Sequence, residues 1–482
     1  MKRNLQIIEL DIYTGVLEYK GINFSFVFDK QELRLIPPKD KKKEIEHEWF
    51  MHKIGEGVYA GGDHPQMERP FLVGVCNEDG NKMVFITQEG TYIGRYNSVL
   101  RIEVIAFFVL KYGECSINKM CFSSPEINCI HSIGQSFCFE YDEDFIEKGI
   151  VQLRTNEFSA VTTEAETFEY NSKIVKVTFG ASRTFSSGVT ETPLKLNSSL
   201  CFEFDSTEDY AFIYHLWVIA KRFIQYLCYR KNVFFSKVEL STSYKGYKHI
   251  KSGELYVLED LEEHNSEEEV LKKGCYIRQS YITGAVGSIL QSIAEDSIYL
   301  RHLPQNYEEG HHIDAARFVM ITAAFEWEFR RIFPEGIKKK EKKIKAEETV
   351  VQLLTPLIEN NTGEIKSILK YLKKCVGNDP LSSKLTFVGM ELGNIIDIFG
   401  KHLYALNGKK LKYSEMGERL AAQRNNFAHG NLDKDFDELA LLDLIYLELI
   451  LYAMQLKFYG VEDVKIKKAI NDLFHKNIRI DE

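Results

Sequence analysis

The period of the hydrophobic pattern changes once along this chain, and that change constrains the fold more than any single motif. From the start to about Phe204, apolar and polar residues alternate in short runs such as LQIIELDIYTGVLEY, FSFVFD and SKIVKVTFG. Runs rich in Val, Ile, Phe and Tyr, separated by Gly, Asn, Asp and Pro, predict half-buried strands joined by turns. One helix is expected within this region, near 206–231 over STEDYAFIYHLWVIAKRFIQYLCYRK, with Ser206 as its cap and Asp209 closing a capping box. NVFFSKVELS then resumes the strand pattern.

Beyond residue 310 the spacing becomes helical. In HHIDAARFVMITAAFEWEFRRIF, Phe318, Phe325, Phe329 and Ile332 share one face. Further helices are expected over GIKKKEKKIKAEETVVQLLTPLIE, EIKSILKYLKKC, KLTFVGMELGNIIDIFGKHL, SEMGERLAAQRNNFAH, 436–459 and DVKIKKAINDLFHKN. The fifth of these seven has Ser414 as expected cap and Gly430 as its stop. The fold class is therefore expected to be α+β and multidomain. It comprises a β-rich region over 1–297, a linker over 298–310 where IYLRHLPQNYEEG loses periodicity and gains Pro and Gly, and an all-α bundle over 311–482.

A length of 482 residues exceeds what one core serves, in keeping with that division. The formal net charge of -9 excludes a protein that coats nucleic acid by bulk electrostatics, so a polyanion would have to be bound locally. Nine cysteines without a CxxC pair argue against a complete disulfide framework and for reduced thiols. No long apolar run opens the chain. The most apolar segment, 439–458, is broken by Asp443, Glu448, Gln455 and Lys457, which lipid would penalise. It is expected to be a buried bundle helix, and the protein cytoplasmic with no membrane partner.

The stretch AAQRNNFAHGNLD places Arg424, Asn425, Asn426 and His429 at the close of an expected helix. Arg424 and His429 lie about 140° apart on an ideal helix, so they occupy neighbouring faces and can converge on one groove near a helix end. A guanidinium beside an imidazole suits phosphodiester chemistry. The imidazole can take the proton of a ribose 2′-hydroxyl while the Arg fork stabilises charge on the phosphorane oxygens, and no metal is required. Such a reaction acts on RNA and not on DNA. Asn425 and Asn426 can hold the phosphate or orient the imidazole. The plainer account is that cations in a last helical turn meet the macrodipole favourably.

RNNFAHG resembles the R-polar-x3-H motif of HEPN domains, the helical-bundle ribonucleases of toxin, RNA-processing and antiviral systems, and 311–482 resembles the bundle that carries it. The order of a β-rich half before that bundle is similar to the ApeA-like bacterial anti-phage proteins. The resemblance implies a metal-independent endoribonuclease of abortive-infection type that cleaves host RNA, tRNA being the expected substrate. It implies Arg424 and His429 as catalytic residues and Asn425 at the motif's polar position. It also implies a homodimer or higher even oligomer with two motifs facing one another, and control by an unknown phage-derived trigger at the N-terminal region. HEPN bundles often carry an acidic residue on an early helix facing the motif, and Glu326 in AAFEWEFRR is the candidate, with pairing to Arg330 as its plain alternative. The long segment between Phe333 and Ser414 departs from a minimal bundle.

Lys338, Lys339 and Lys340 in KKKEKKIK are candidate RNA-binding residues, against the alternative of a solvated helix start. PPKDKKK at 37–43 reads as a loop. In HEWFMH the two His are five apart where a zinc protease needs four, which rejects that motif. Cys115, Cys121, Cys129 and Cys138, with His131, match no usual zinc spacing and read as small buried hydrophobes. GxxxxGK[ST], GxGxxG and GxSxG segments are absent, so no cofactor and no metal are expected. The rival function is a non-catalytic sensor or adaptor whose bundle only dimerises. A third is regulation of a partner enzyme by nucleotidyl or phosphate transfer.

Overall fold

The computed structural model describes residues 10–62, 65–88, 90–111, 116–140, 147–149, 152–157, 162–185, 194–259, 266–337, 339, 341–428 and 437–480. The chain divides into two compact units, one of 1–227, 232–273 and 286–295, the other of 228–231, 274–285 and 296–482. The stretch 298–310 thus packs as part of the second unit, which also takes two short pieces from within the β-rich region.

In the first unit, β1 (Tyr13–Tyr19), β2 (Ile22–Phe28) and β3 (Glu32–Ile36) form a meander. Next come β4 (Phe71–Cys76), β5 (Lys82–Ile86), β6 (Gly94–Tyr96), β7 (Val99–Glu103), β8 (Ala106–Leu110) and β9 (Ile117–Ser123). The last are β10 (Glu166–Tyr170), β11 (Lys173–Phe185), β12 (Leu194–Thr207), β13 (Lys237–Tyr244) and β14 (Tyr247–Val257). Together they make one antiparallel sheet in the order β10-β11-β12-β9-β13-β14-β8-β5-β4-β1-β2-β3-β7-β6.

The alternation in sequence becomes alternation in burial. Along β1 and β2 every second side chain, Tyr13, Leu17, Tyr19, Phe24, Phe26 and Phe28 among them, is buried. Phe28 meets Phe85 and Phe107 at ring distances of 5.0 and 5.1 Å. The β1–β2 turn runs through Lys20 and Gly21 with φ of 52° and 72°, the double positive φ that a tight hairpin requires.

Helix α1 (Tyr210–Cys228) is where the sequence pattern put one, but its cap differs. Ser206 belongs to β12, and it is Asp209 Oδ1 that accepts the Phe212 N–H at 3.0 Å. Asp209 is in turn held by Thr207 Oγ1, which accepts its N–H, so the strand runs further than residue type alone indicates. Thiol chemistry differs too: Cys121 on β9 and Cys201 on β12 face each other in register and form a disulfide, so the all-reduced reading is corrected. They are 80 residues apart in the chain, and only strand pairing makes them neighbours.

The second unit is helical: α2 (Ala315–Ile332), α3 (Glu341–Glu359), α4 (Gly363–Cys375), α5 (Leu381–Leu406), α6 (Tyr413–Ala428), α7 (Glu438–Phe458) and α8 (Asp463–Leu473). Asp314 and Asp437 cap α2 and α7 by accepting N–H bonds from Arg317 and Leu439. Phe318, Phe325 and Phe329 are buried on α2 as their spacing requires. Around α7 pack α2, α5, α6 and α8. Its segment Leu439–Phe458 has the length and apolar composition of a membrane span, yet most of it is buried within the protein.

The charges that interrupt α7 are answered by partners. Asp443 accepts bonds from Arg419 Nε and Nη2 at 2.7 and 2.8 Å and from the Tyr404 hydroxyl. Glu448 accepts from Arg317 Nη2 at 3.0 Å and from the Tyr229 hydroxyl. Burial pushes both carboxyls above their ordinary range, with the guanidiniums pulling the other way.

Helix α6 begins one residue before its expected cap. Ser414 lies in the first turn, and the helix starts at Tyr413, whose hydroxyl is held between Asp397 at 2.7 Å and Tyr446 at 2.9 Å. The tertiary hold on Tyr413 outweighs a local serine cap. Gly430 lies outside the described residues.

Candidate functional site

Helix α6 presents Met416, Leu420, Gln423 and Phe427 to the bundle core, the spacing of a single inward stripe. It lies unusually close to α5, because a Cβ on Gly417 would stand 2.3 Å from Ser382 Cα, a separation only glycine permits. Phe427 fixes the far end of the helix against Phe318 of α2, edge to face at 5.5 Å.

Arg424 falls beside that stripe, so its guanidinium lies at the margin of the core, with its side chain 28% exposed. Nη1 donates to Glu326 Oε1 at 2.9 Å. The second carboxylate oxygen of Glu326 lies 3.7 Å from Lys384 Nζ at the start of α5. Three helices, α2, α5 and α6, thereby converge on one half-buried cluster of two cations and one carboxylate. Glu326 is paired with Arg424 rather than Arg330, whose Nε donates instead to the Glu326 backbone oxygen at 3.2 Å.

A carboxylate on one nitrogen holds the guanidinium plane in position while leaving its other donors for an anion. With Lys384 the cluster carries one net positive charge, the local basicity that the chain's overall charge denies it. Asn425 is exposed and Asn426 half-buried on the last turn of α6. His429 lies outside the described residues, immediately beyond the last described residue of that helix, Ala428.

Of the lysines singled out in sequence, Lys338 and Lys340 lie outside the described residues. Lys339 is committed at the foot of α3, its ammonium bonded to Glu347 Oε2 at 2.9 Å and Gly377 O at 2.8 Å, with Asp379 3.7 Å away. The bond to Glu347, opposed in part by burial, raises its pKa. Among the described residues no three His, Cys, Asp or Glu side chains gather as a metal site would require. Cys121 is consumed by the disulfide, Cys129 is buried, Cys138 is exposed and Cys115 lies outside the described residues.

Sequence reasoning missed two features. Lys384 carries no local signal, being one lysine in a helix start, SSKLTF. The buried Tyr229, Arg317 and Glu448 cluster had one: a carboxylate inside an apolar helix demands a cationic partner. No known protein family, curated protein or solved structure matches the chain.

Proposed function

We propose that the protein is a metal-independent endoribonuclease of the HEPN type. The observation that carries this reading is the 2.9 Å pairing of Arg424, near the close of α6 in a helical unit, with Glu326, together with a histidine, His429, five positions later in the sequence. In the proposed reaction His429 removes the proton from a ribose 2′-hydroxyl. The 2′-oxygen attacks the adjacent phosphorus, Arg424 stabilises the charge that builds on the phosphorane oxygens, and the bond from phosphorus to O5′ breaks. The departing O5′ takes up a proton, leaving a 2′,3′-cyclic phosphate and a 5′-hydroxyl. Glu326 positions Arg424, and Asn425 and Asn426 contact the phosphate or the imidazole. The substrate is host RNA, with tRNA as the expected class. The β-rich unit restrains the activity until a phage-derived trigger arrives, and cleavage then arrests the infected cell.

The test is to incubate wild type, His429→Ala and Arg424→Ala with total RNA in EDTA, with and without extract of infected cells, and to assay for cyclic-phosphate ends. New fragments from wild type alone support the reading. Fragments from His429→Ala refute the assigned base. One observation favours a second reading, a non-catalytic adaptor: the Arg424 to Glu326 bond also ties α2 to α6, which a purely structural bundle needs equally. Phage protection that survives both substitutions, with no RNA fragments, selects the adaptor.

A further inference from the structure

The second unit contains a cavity of about 380 Å³ whose lining includes none of Arg424, Glu326 and Lys384, and every residue that lines it belongs to that unit. Small-molecule sites occupy about 300–1,000 Å³ and combine apolar walls with a few placed polar groups. The walls here are mainly apolar, with Tyr229, Tyr307, Ile313, Ile445, Leu473 and Phe474 among them. They are also held in place. Arg317 Nη1 donates to the backbone oxygens of Glu309, Gly310 and His312 at 2.6, 2.9 and 2.8 Å, which fixes the loop on one side. The Tyr229 ring packs edge to face on Phe474 at 4.9 Å, and its hydroxyl is bonded to Glu448, which lines the cavity as well.

Lys476 reaches the cavity from the turn after α8. His475 and Asn477, on either side of it, have φ of 48° and 51°. Asn471 secures this turn twice: its backbone oxygen accepts the Lys476 N–H at 3.1 Å and its side-chain oxygen accepts the Ile478 N–H at 2.9 Å. The chain is thereby folded back, and Lys476 is half-buried where the residue after a helix would ordinarily project into water. Among the described residues no hydrogen bond reaches its ammonium, which leaves three N–H donors for a ligand. Burial lowers its pKa, and Glu448 opposes that shift. A bound anion would compensate such a desolvated cation.

The charges restrict what that anion can be. Glu448 is answered by Arg317, so with Lys476 the three groups carry one net positive charge. A phosphate dianion would bring a second negative charge close to the buried Glu448 carboxylate with one lysine to meet it. The aromatic and aliphatic walls suit an apolar body and supply few of the donors that a sugar or nucleotide requires. We propose that this cavity binds a small monocarboxylate with an aromatic body, its carboxylate on Lys476 and its ring among Tyr229, Tyr307 and Phe474. The site goes beyond the nuclease reading and stands without it.

The experiment is isothermal titration calorimetry of the full-length protein with 3-phenylpropionate and indole-3-acetate at millimolar concentration. The controls are 3-phenylpropionamide, which has the same body without the charge, and phenyl phosphate. Either acid should bind, and its binding should raise the melting temperature with concentration. The amide, and the acid on Lys476→Met, should bind about 10–100-fold more weakly, as expected for one lost charged hydrogen bond. Lys476→Arg should retain binding. Because the Lys476 ammonium has no bonded partner, Lys476→Met should melt as wild type does without ligand. Ile445→Trp, which fills the cavity, should abolish binding of both acids. Absence of binding by either acid overturns the proposal, as does equal binding by acid and amide or by wild type and Lys476→Met. Tighter binding of phenyl phosphate than of 3-phenylpropionate overturns the assignment to a monocarboxylate.

Discussion

Arg424 and Glu326, 98 residues apart in the chain, meet at 2.9 Å between α6 and α2. Both side chains are about a quarter exposed, 28% and 27%, which separates the consequences of losing the bond. A partly exposed pair of this kind contributes about 1 kcal/mol or less to stability. Arg424→Ala should therefore leave the melting temperature within a few degrees of wild type. If Arg424 stabilises the phosphorane, RNA cleavage should fall by about 10²–10³-fold, as when one oxyanion donor is removed. Melting curves alongside cleavage rates check the prediction, and a large loss of stability would reassign Arg424 to structure alone.

Glu326→Gln keeps the shape of the side chain and removes its charge. On the proposed mechanism it frees Arg424 to rotate, so cleavage should fall while RNA binding changes little. Equal losses of cleavage and binding would contradict a positioning role. Measuring both on one RNA substrate separates the cases.

The buried cluster around Glu448 behaves differently, because Arg317 and Glu448 are only 10% and 7% exposed. Removing one member strands the other, and Glu448→Ala should cost about 3–5 kcal/mol. Replacing both at once, Arg317→Met with Glu448→Leu, should recover much of that loss. Urea unfolding of the two single variants and the double variant gives the coupling directly.

In the β-rich unit, Glu203 supplies a pH dependence of known sign. Burial works against its ionisation, but hydrogen bonds from Lys119 and Lys248 outweigh it and bring the carboxyl from its ordinary 4.5 down to about 2. A depressed carboxyl contributes stability that is fully present above 4.5 and is lost as pH falls toward about 2. Glu203→Gln should flatten that part of the acid unfolding curve. Acid titration followed by tryptophan fluorescence or circular dichroism reads the change.

Gly417→Ala tests the close approach of α6 to α5. The new Cβ would face backbone atoms of Ser382, which cannot rotate away, so the helices must separate. Destabilisation of about 1–3 kcal/mol is expected from such overpacking. Cleavage should fall as well, since α6 carries Arg424; unaltered stability would show that the helix can shift at no cost.

What the sequence determined by itself was the periodic part of this protein. Alternation specified half-buried strands in the first unit and helical spacing specified the apolar face of α2, because period acts over a few residues. The charges embedded in the apolar 439–458 segment marked it as a buried bundle helix rather than a membrane span, without indicating which residues would answer them. Tertiary structure decided what local chemistry leaves open. It opposed Cys121 to Cys201 across a strand pair, moved the start of α6 to Tyr413, and set Lys384 beside Glu326. It also brought Lys476 to the cavity that Glu448 lines. Each of these depends on which segments pack together, and electrostatic and packing energies follow distance in space, to which separation along the chain is no guide.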